Sequence, residues 1–155
     1  MPKITLPDGQ EKEFPVNTTL LEVAKNISNS LAKVAVAGKI NGKLRDLCVE
    51  IKDSNKVEIV KKTDDEGIEI VRHSFAHLIG HAIKQIYPDA KMAIGPVIKN
   101  GFYYDIDCEK SLSVEDLTAI ENKIAELTRK NYEVIRKVVT PKEALDVFKK
   151  RNEPY

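Results

Sequence analysis

The stretch Asp64–Pro88, DDEGIEIVRHSFAHLIGHAIKQIYP, constrains this chain more than any other. It holds all three histidines of the protein, His73, His77 and His81, spaced four residues apart. On a helix turning about 100° per residue, a step of four advances a side chain by only roughly 40°, so the three rings form one slanted row. Ile68, Val71, Phe75, Leu78, Ala82 and Ile86 recur at helical spacing on the opposite side and form the expected buried stripe. Asp64 or Asp65 is placed to cap the amino end, Glu66 suits the positive end of the helix dipole, and Pro88 stops the helix. The expected element is about 34 Å long at 1.5 Å per residue. Its core lies behind it and its histidines look outward, as the wall of a cleft.

Three chemistries fit a row of imidazoles. The first is a plainly solvated polar face. The second is metal, because two histidines at i, i+4 can grip one zinc ion. The metalloprotease form H-E-x-x-H is excluded by residue identity, since Ser74 and not glutamate follows His73. The only soft ligands left are Cys48 and Cys108, 60 residues apart and without a C-x-x-C pair, so no complete structural zinc site is expected. The third is acid–base work, for which imidazole's ordinary pKa of about 6.5 suits positioning water and moving protons near neutral pH. Spacing alone does not separate the first reading from the third.

Charge narrows the rest only slightly. With 25 basic and 24 acidic residues among 155, the net charge is +1, so any nucleic-acid partner has to be met by local patches. Two cysteines, no signal peptide and no apolar run of membrane length point to a soluble, cytoplasmic setting with no membrane partner. The length allows one ordinary domain or two small ones.

The polar run Lys61–Glu66 marks the expected boundary, giving domains 1–62 and 63–155. Before it, Lys3–Leu6 and Glu11–Val16 read as a hairpin around Pro7-Asp8-Gly9, with Pro15 marking an edge strand. Thr19 and Glu22 make a capping-box pattern for a helix carrying Leu20, Val23, Ala24 and Ile27. Lys33–Ala37 reads as a strand broken by Gly38. Asn41-Gly42 is a hairpin turn leading to Leu44–Leu47, and Lys56–Val60 alternates as a closing strand. Hairpin, helix, hairpin and strand amount to a β-grasp-like module of about 60 residues, a binding or docking unit with no histidine and no phosphate-cradling loop.

After the histidine helix, Lys91–Ile94 is a short strand broken at Gly95-Pro96. Val97-Ile98 then leads through Asn100-Gly101 into Phe102–Asp107, where Phe102, Tyr104 and Ile106 share one face. Ser113 caps a helix with the stripe Leu117, Ile120, Ile124 and Leu127. Glu133–Val139 reads as a strand, and Thr140-Pro141 with Glu143 opens a last helix carrying Ala144, Leu145 and Phe148. The fold class is therefore α+β: a β-grasp module followed by an incomplete α/β domain built on the long histidine helix.

The opening ITLPDG and the stretch AVAGKINGKLRDL resemble the TGS domain, which occurs in threonyl-tRNA synthetases, certain GTPases and guanosine tetraphosphate enzymes. The stretch GIEIVRHSFAHLIGHAIKQIYPDAKMAIGPVIKNGFYYDID resembles the start of the editing domain of bacterial threonyl-tRNA synthetases, whose HxxxH motif falls on His73 and His77. Together they cover essentially the whole chain in the family's order.

The resemblance implies a parent enzyme that uses ATP to attach threonine to tRNA(Thr) and removes serine attached in error. His73 and His77 are then catalytic residues, Gly95 and Tyr104 line the editing pocket, and this segment needs no metal or cofactor. ATP, magnesium and a zinc ion are expected in an aminoacylation domain outside the chain, together with homodimerisation through such domains. The family's second editing motif, a cysteine with a histidine four positions on, and its catalytic lysine have no counterpart here. Neither Cys48 nor Cys108 is followed by such a histidine. The chain is thus expected to be an amino-terminal fragment of the ligase. The alternatives are a free-standing TGS-containing RNA- or nucleotide-binding protein and a small metal-dependent hydrolase.

Overall fold

The computed structural model describes residues 1–154. The chain divides into two compact units, Met1–Val71 and Arg72–Tyr155, the division falling inside the long central helix.

In the first unit, β1 (Lys3–Thr5) pairs antiparallel with β2 (Glu11–Glu13), which is an edge strand just before Pro15. The two-residue strands β3 (Thr18–Thr19) and β6 (Glu50–Ile51) pair antiparallel with each other. Helix α1 (Leu20–Ile27) starts at the Thr19–Glu22 capping box: Glu22 N donates to Thr19 Oγ1 and Thr19 N to the Glu22 carboxylate. A short α2 (Asn29–Val34) follows, capped by Ser28, where the sequence reading starts a strand at Lys33. Strand β4 (Ala35–Ile40) then turns through Asn41-Gly42 into β5 (Lys43–Arg45). Both turn residues have positive φ, 50° and 77°, which is why this dipeptide suits the site. The closing β7 (Asn55–Lys61) completes a sheet of order β2-β1-β7-β4-β5, with β1 and β7 parallel.

Gly38 does not break its strand. It lies inside β4, paired on both sides, at a point where a Cβ would stand 2.9 Å and 3.0 Å from the two Leu20 methyls. Missing bulk at Gly38 lets helix and sheet approach closely over the core of Ile4, Leu6, Phe14, Leu20, Val23, Ile51 and Val57.

Helix α3 (Asp65–Ile86) runs close to the expected length. The Asp64 carboxylate does not cap it; it turns back to accept from Lys61 N at 2.8 Å. The expected stripe is only half correct. Leu78, Ala82 and Ile86 pack into the second core, but Ile68, Val71 and Phe75 are 36%, 43% and 43% exposed. The buried line instead runs through Ala76, Gly80 and Ile83, the first two being small residues that a hydrophobicity pattern undervalues.

In the second unit, β8 (Lys91–Met92) pairs with β11 (Ile106–Asp107), and β9 (Val97–Ile98) with β10 (Gly101–Phe102). Phe102, Tyr104 and Ile106 alternate with exposed Tyr103, Asp105 and Asp107 as the pleat requires, although the strand is interrupted between its ends. Helix α4 (Val114–Lys130) lays Ile120, Ile124 and Leu127 against Ala82, Ile83 and Ala90, while Leu117 stays outside at 52% exposure. Glu133–Val139 is not a strand. It is irregular and exposed, Val134 reaching 96%, because β-branched composition makes a strand only when a ladder partner exists and none of the described residues pairs with it. Helix α5 (Pro141–Lys150) begins at the expected Thr140–Glu143 box with proline in its first turn, and buries none of its residues. Among the described residues no helix is long and apolar enough to cross a membrane.

One polar joint ties α3 to α4. The Tyr87 hydroxyl donates to Asp116 Oδ1 at 2.5 Å, and Ser113 N and Oγ donate to Oδ2 at 2.7 and 2.8 Å. Tyr87, first, and then Ser113 hold the Asp116 carboxyl well below the usual carboxylate range. A carboxylate depressed below its unfolded pKa of about 3.9 adds stability that is complete above that pH and lost as pH falls toward the folded value. Asp116→Asn is therefore expected to lower the melting temperature at pH 7 and to flatten the acid limb below about pH 4. Melting followed by circular dichroism from neutral to acid pH checks this; an unchanged acid limb would remove the joint's role.

Candidate active site

The histidine row is built by the helix itself. His73, His77 and His81 are all exposed on α3, with the apolar packing carried by the other faces. The first two meet: His77 Nε2 lies 3.0 Å from His73 Nε2, and the rings stand edge to face with centroids 4.7 Å apart at 77°. Such a bond requires one ring to donate and the other to accept, so at least one imidazole is neutral when it forms. His81 is differently engaged, its Nε2 being 2.9 Å from Gln85 Nε2 and its ring 6.5 Å from that of Tyr132.

A cleft of about 670 Å³ opens beside this face, lined by His77, Gly80, His81, Lys84, Pro88, Met92, Tyr104, Phe148, Arg151 and Glu153. Of the residues singled out in the sequence as site candidates or as part of the histidine row, the structure brings His77, His81 and Tyr104 to this cleft. His73 is joined to it through His77. Gly95 is not in the lining but lies against the Tyr104 ring, where any Cβ would fall 2.8 Å from Cδ2 and Cε2. The cleft's charges are partly neutralised: Lys84 Nζ donates to the Ala90 carbonyl at 2.9 Å and sits 2.7 Å from Glu153 Oε1. Lys91 Nζ donates to the Asn152 carbonyl at 2.6 Å, a second tie on the segment after α5.

Sequence reasoning missed Gly80, Lys84, Phe148 and Arg151 as lining residues. The one available signal was Gly80, a glycine in the middle of an otherwise strong helix. Phe148 on α5 and Arg151 just after it come from far along the chain, and no local pattern announces that meeting. Among the described residues no group of three or more His, Cys, Asp or Glu side chains is arranged to hold a metal ion. The geometry is that of a paired-imidazole site at the wall of an open cleft, suited to placing a water molecule and moving its proton. A smaller concavity of about 340 Å³ on the first unit, lined by Thr5, Gly9, Lys39, Gly42, Lys56 and Glu58 among others, holds no such group.

Residues 2–61 match the TGS domain family. Over all 155 residues the chain is 52% identical to the threonine–tRNA ligase of Prochlorococcus marinus (strain MIT 9211), of which it spans 24%. The first unit's sheet, the histidine helix and these two matches lead to one conclusion: residues 2–61 are similar to the TGS domain, and the chain is similar throughout to the amino-terminal part of a threonine–tRNA ligase.

Proposed function

We propose that this chain is the amino-terminal segment of a threonine–tRNA ligase, with residues 1–62 as its TGS module and 63–155 as part of a site that hydrolyses seryl-tRNA(Thr). The observation that carries the hydrolytic reading is the His73–His77 pair, bonded at 3.0 Å and joined to the cleft that Tyr104 also lines. The need for such a site is physical. Serine and threonine differ by one methyl group, worth only about 1–3 kcal/mol of discrimination, so a pocket that accepts the larger cannot strongly reject the smaller. A second pocket too tight for the threonine methyl selects serine for hydrolysis instead.

In this reading His77 faces the ester at the RNA's terminal ribose and places the attacking water. His73 fixes the orientation and tautomer of His77 through the bond between their Nε2 atoms, and Tyr104 and Gly95 shape the pocket. The partners are tRNA(Thr), threonine and ATP, in the cytoplasm. ATP, magnesium and zinc serve the attachment reaction in other domains of the ligase, as does homodimerisation. The isolated chain accordingly gives no threonine-dependent ATP–pyrophosphate exchange.

The test is hydrolysis of pre-formed seryl-tRNA(Thr) by the full-length ligase with both His73 and His77 replaced by alanine. Serine removal is expected to collapse while threonine attachment persists. Wild-type hydrolysis by the double variant overturns the hydrolytic reading and leaves a binding role for the cleft.

A further inference from the structure

Gly80 is at odds with its own helix. Glycine is the least favourable residue in a helix interior apart from proline, and Gly80 sits within α3 in backbone that does not require glycine. The reason lies across the cleft. A Cβ built on Gly80 would stand 3.3 Å from the Tyr104 hydroxyl, 3.4 Å from Met92 Cε and 3.6 Å from Tyr104 Cζ. Gly95 meets a different part of the same side chain: its Cβ would lie 2.8 Å from Cδ2 and Cε2 and 3.2 Å from Cγ. One glycine admits the ring and the other admits its hydroxyl tip. The tip is thereby held against α3 within one turn of His77, in the cleft that both residues line.

We propose that Gly80 is a specificity-determining residue of this cleft. Lacking a Cβ, it lets the Tyr104 hydroxyl stand beside the histidine row as the group that hydrogen-bonds the side-chain hydroxyl of the aminoacyl ester. The proposal rests on the hydrolytic reading above and adds to it the feature that recognises the substrate. A phenolic hydroxyl both donates and accepts, so it serves an alcohol in either sense. A site built to bond a substrate hydroxyl rejects an analogue that lacks it far more strongly than an apolar pocket rejects a methylene, because its own polar group is left unpaired. The role of Gly80 is positional: the added methyl of Gly80→Ala would stand 3.3 Å from the hydroxyl and press it away from the helix.

The experiment measures kcat and KM for hydrolysis of pre-formed seryl-tRNA(Thr) and alanyl-tRNA(Thr) by the full-length ligase. The variants are Gly80→Ala, Gly95→Ala and Tyr104→Phe, the two combinations of a glycine change with Tyr104→Phe, and the His73→Ala, His77→Ala double variant. Gly80→Ala is expected to lower kcat/KM for the seryl ester about tenfold or more and to lower its preference over the alanyl ester. Tyr104→Phe should do the same. Combined, the two should be no worse than Tyr104→Phe alone, because the second change removes the atom with which the first collides. Gly95→Ala should not be relieved by Tyr104→Phe, since phenylalanine keeps the ring carbons that Gly95 meets.

Wild-type selectivity in Gly80→Ala, or fully additive losses with Tyr104→Phe, overturns the proposal. Should Gly80→Ala reduce the yield of folded ligase, recovery of the fold by Tyr104→Phe supports the contact and failure to recover it overturns it. The histidine double variant separates the two levels. If it hydrolyses seryl-tRNA(Thr) at the wild-type rate, the hydrolytic reading itself falls, whereas its inactivity beside a normal Gly80→Ala sinks only the present inference.

Discussion

If the proposed hydrolytic function holds, replacing His77 alone by alanine in the full-length ligase is expected to slow hydrolysis of seryl-tRNA(Thr) by ~100- to 10,000-fold, the usual contribution of a positioned acid–base group. That corresponds to roughly 3–5 kcal/mol of barrier. The structure separates this effect from one on folding, because His77 is exposed on α3 and its truncation opens no core cavity. The two histidines should also differ. His77 lines the cleft, whereas His73 reaches it through the 3.0 Å bond to His77. His73→Gln, which keeps a donor and an acceptor, is therefore expected to retain more activity than His73→Ala, and His77→Gln to recover little. His81 also lines the cleft but is bonded to Gln85 and not to a second imidazole, so its replacement is expected to matter less than that of His77. Deacylation rates measured beside threonine charging and melting temperature decide the matter. Parallel loss of charging and melting temperature would make the rings structural, and equal recovery by both glutamine variants would erase the proposed division of labour.

The second large effect is on the first unit's core. Leu20 is 0% exposed, and its methyls fill the space left by Gly38. Leu20→Ala is expected to destabilise this unit by about 2–5 kcal/mol, a large share of the roughly 5–15 kcal/mol available to a domain. Gly38→Ala, by overfilling the same space, should cost about 1–3 kcal/mol. Joined, the two should lose less than their sum, since the new methyl enters the cavity that the old ones vacate. Relief stays partial because the Glu58 carbonyl, 3.2 Å from the added Cβ, belongs to the backbone of β7 and does not move aside. Urea unfolding of the single and double variants measures the coupling, and additive losses would show that helix and sheet do not meet at this pair.

Local chemistry made much of the architecture legible. Thr19 with Glu22 and Thr140 with Glu143 are capping boxes whose partners lie three residues apart, so each announces its helix without reference to the rest of the chain. Asn41-Gly42 does the same for its turn. The failures came where distant chain decides. Gly38 looked like a breaker because its partner, Leu20, is 18 positions away. Ile68, Val71 and Phe75 looked like core because periodicity cannot tell which apolar face finds a neighbour, and Ala76 and Gly80 were overlooked because small residues are buried by close approach. Glu133–Val139 had strand composition but no ladder among the described residues. The candidate site divides in the same way. His73 and His77 were readable as neighbours from their spacing and Tyr104 was suggested by family resemblance, whereas Gly95 lies behind the Tyr104 ring and not in the lining, and the cleft's far side depends on where α5 comes to rest.

The parallel pairing of β1 with β7 sets a timetable for folding. Lys3 N donates to Ser54 Oγ across 51 residues, and Ile4 lies opposite Asn55 in the ladder. The first strand made is thus an inner strand of the sheet, yet its inner neighbour is the last strand of the module to be synthesised. At ~5–20 residues per second, the ribosome leaves β1 with only the β2 edge for roughly 3–10 s before that neighbour exists. Hairpins and helix α1 can flicker into being during this interval, but the loop closure that fixes the sheet waits for residues 55–61. The module's folding should therefore register as one late, cooperative step, and a nascent chain arrested before β7 emerges should remain protease-sensitive along its whole length.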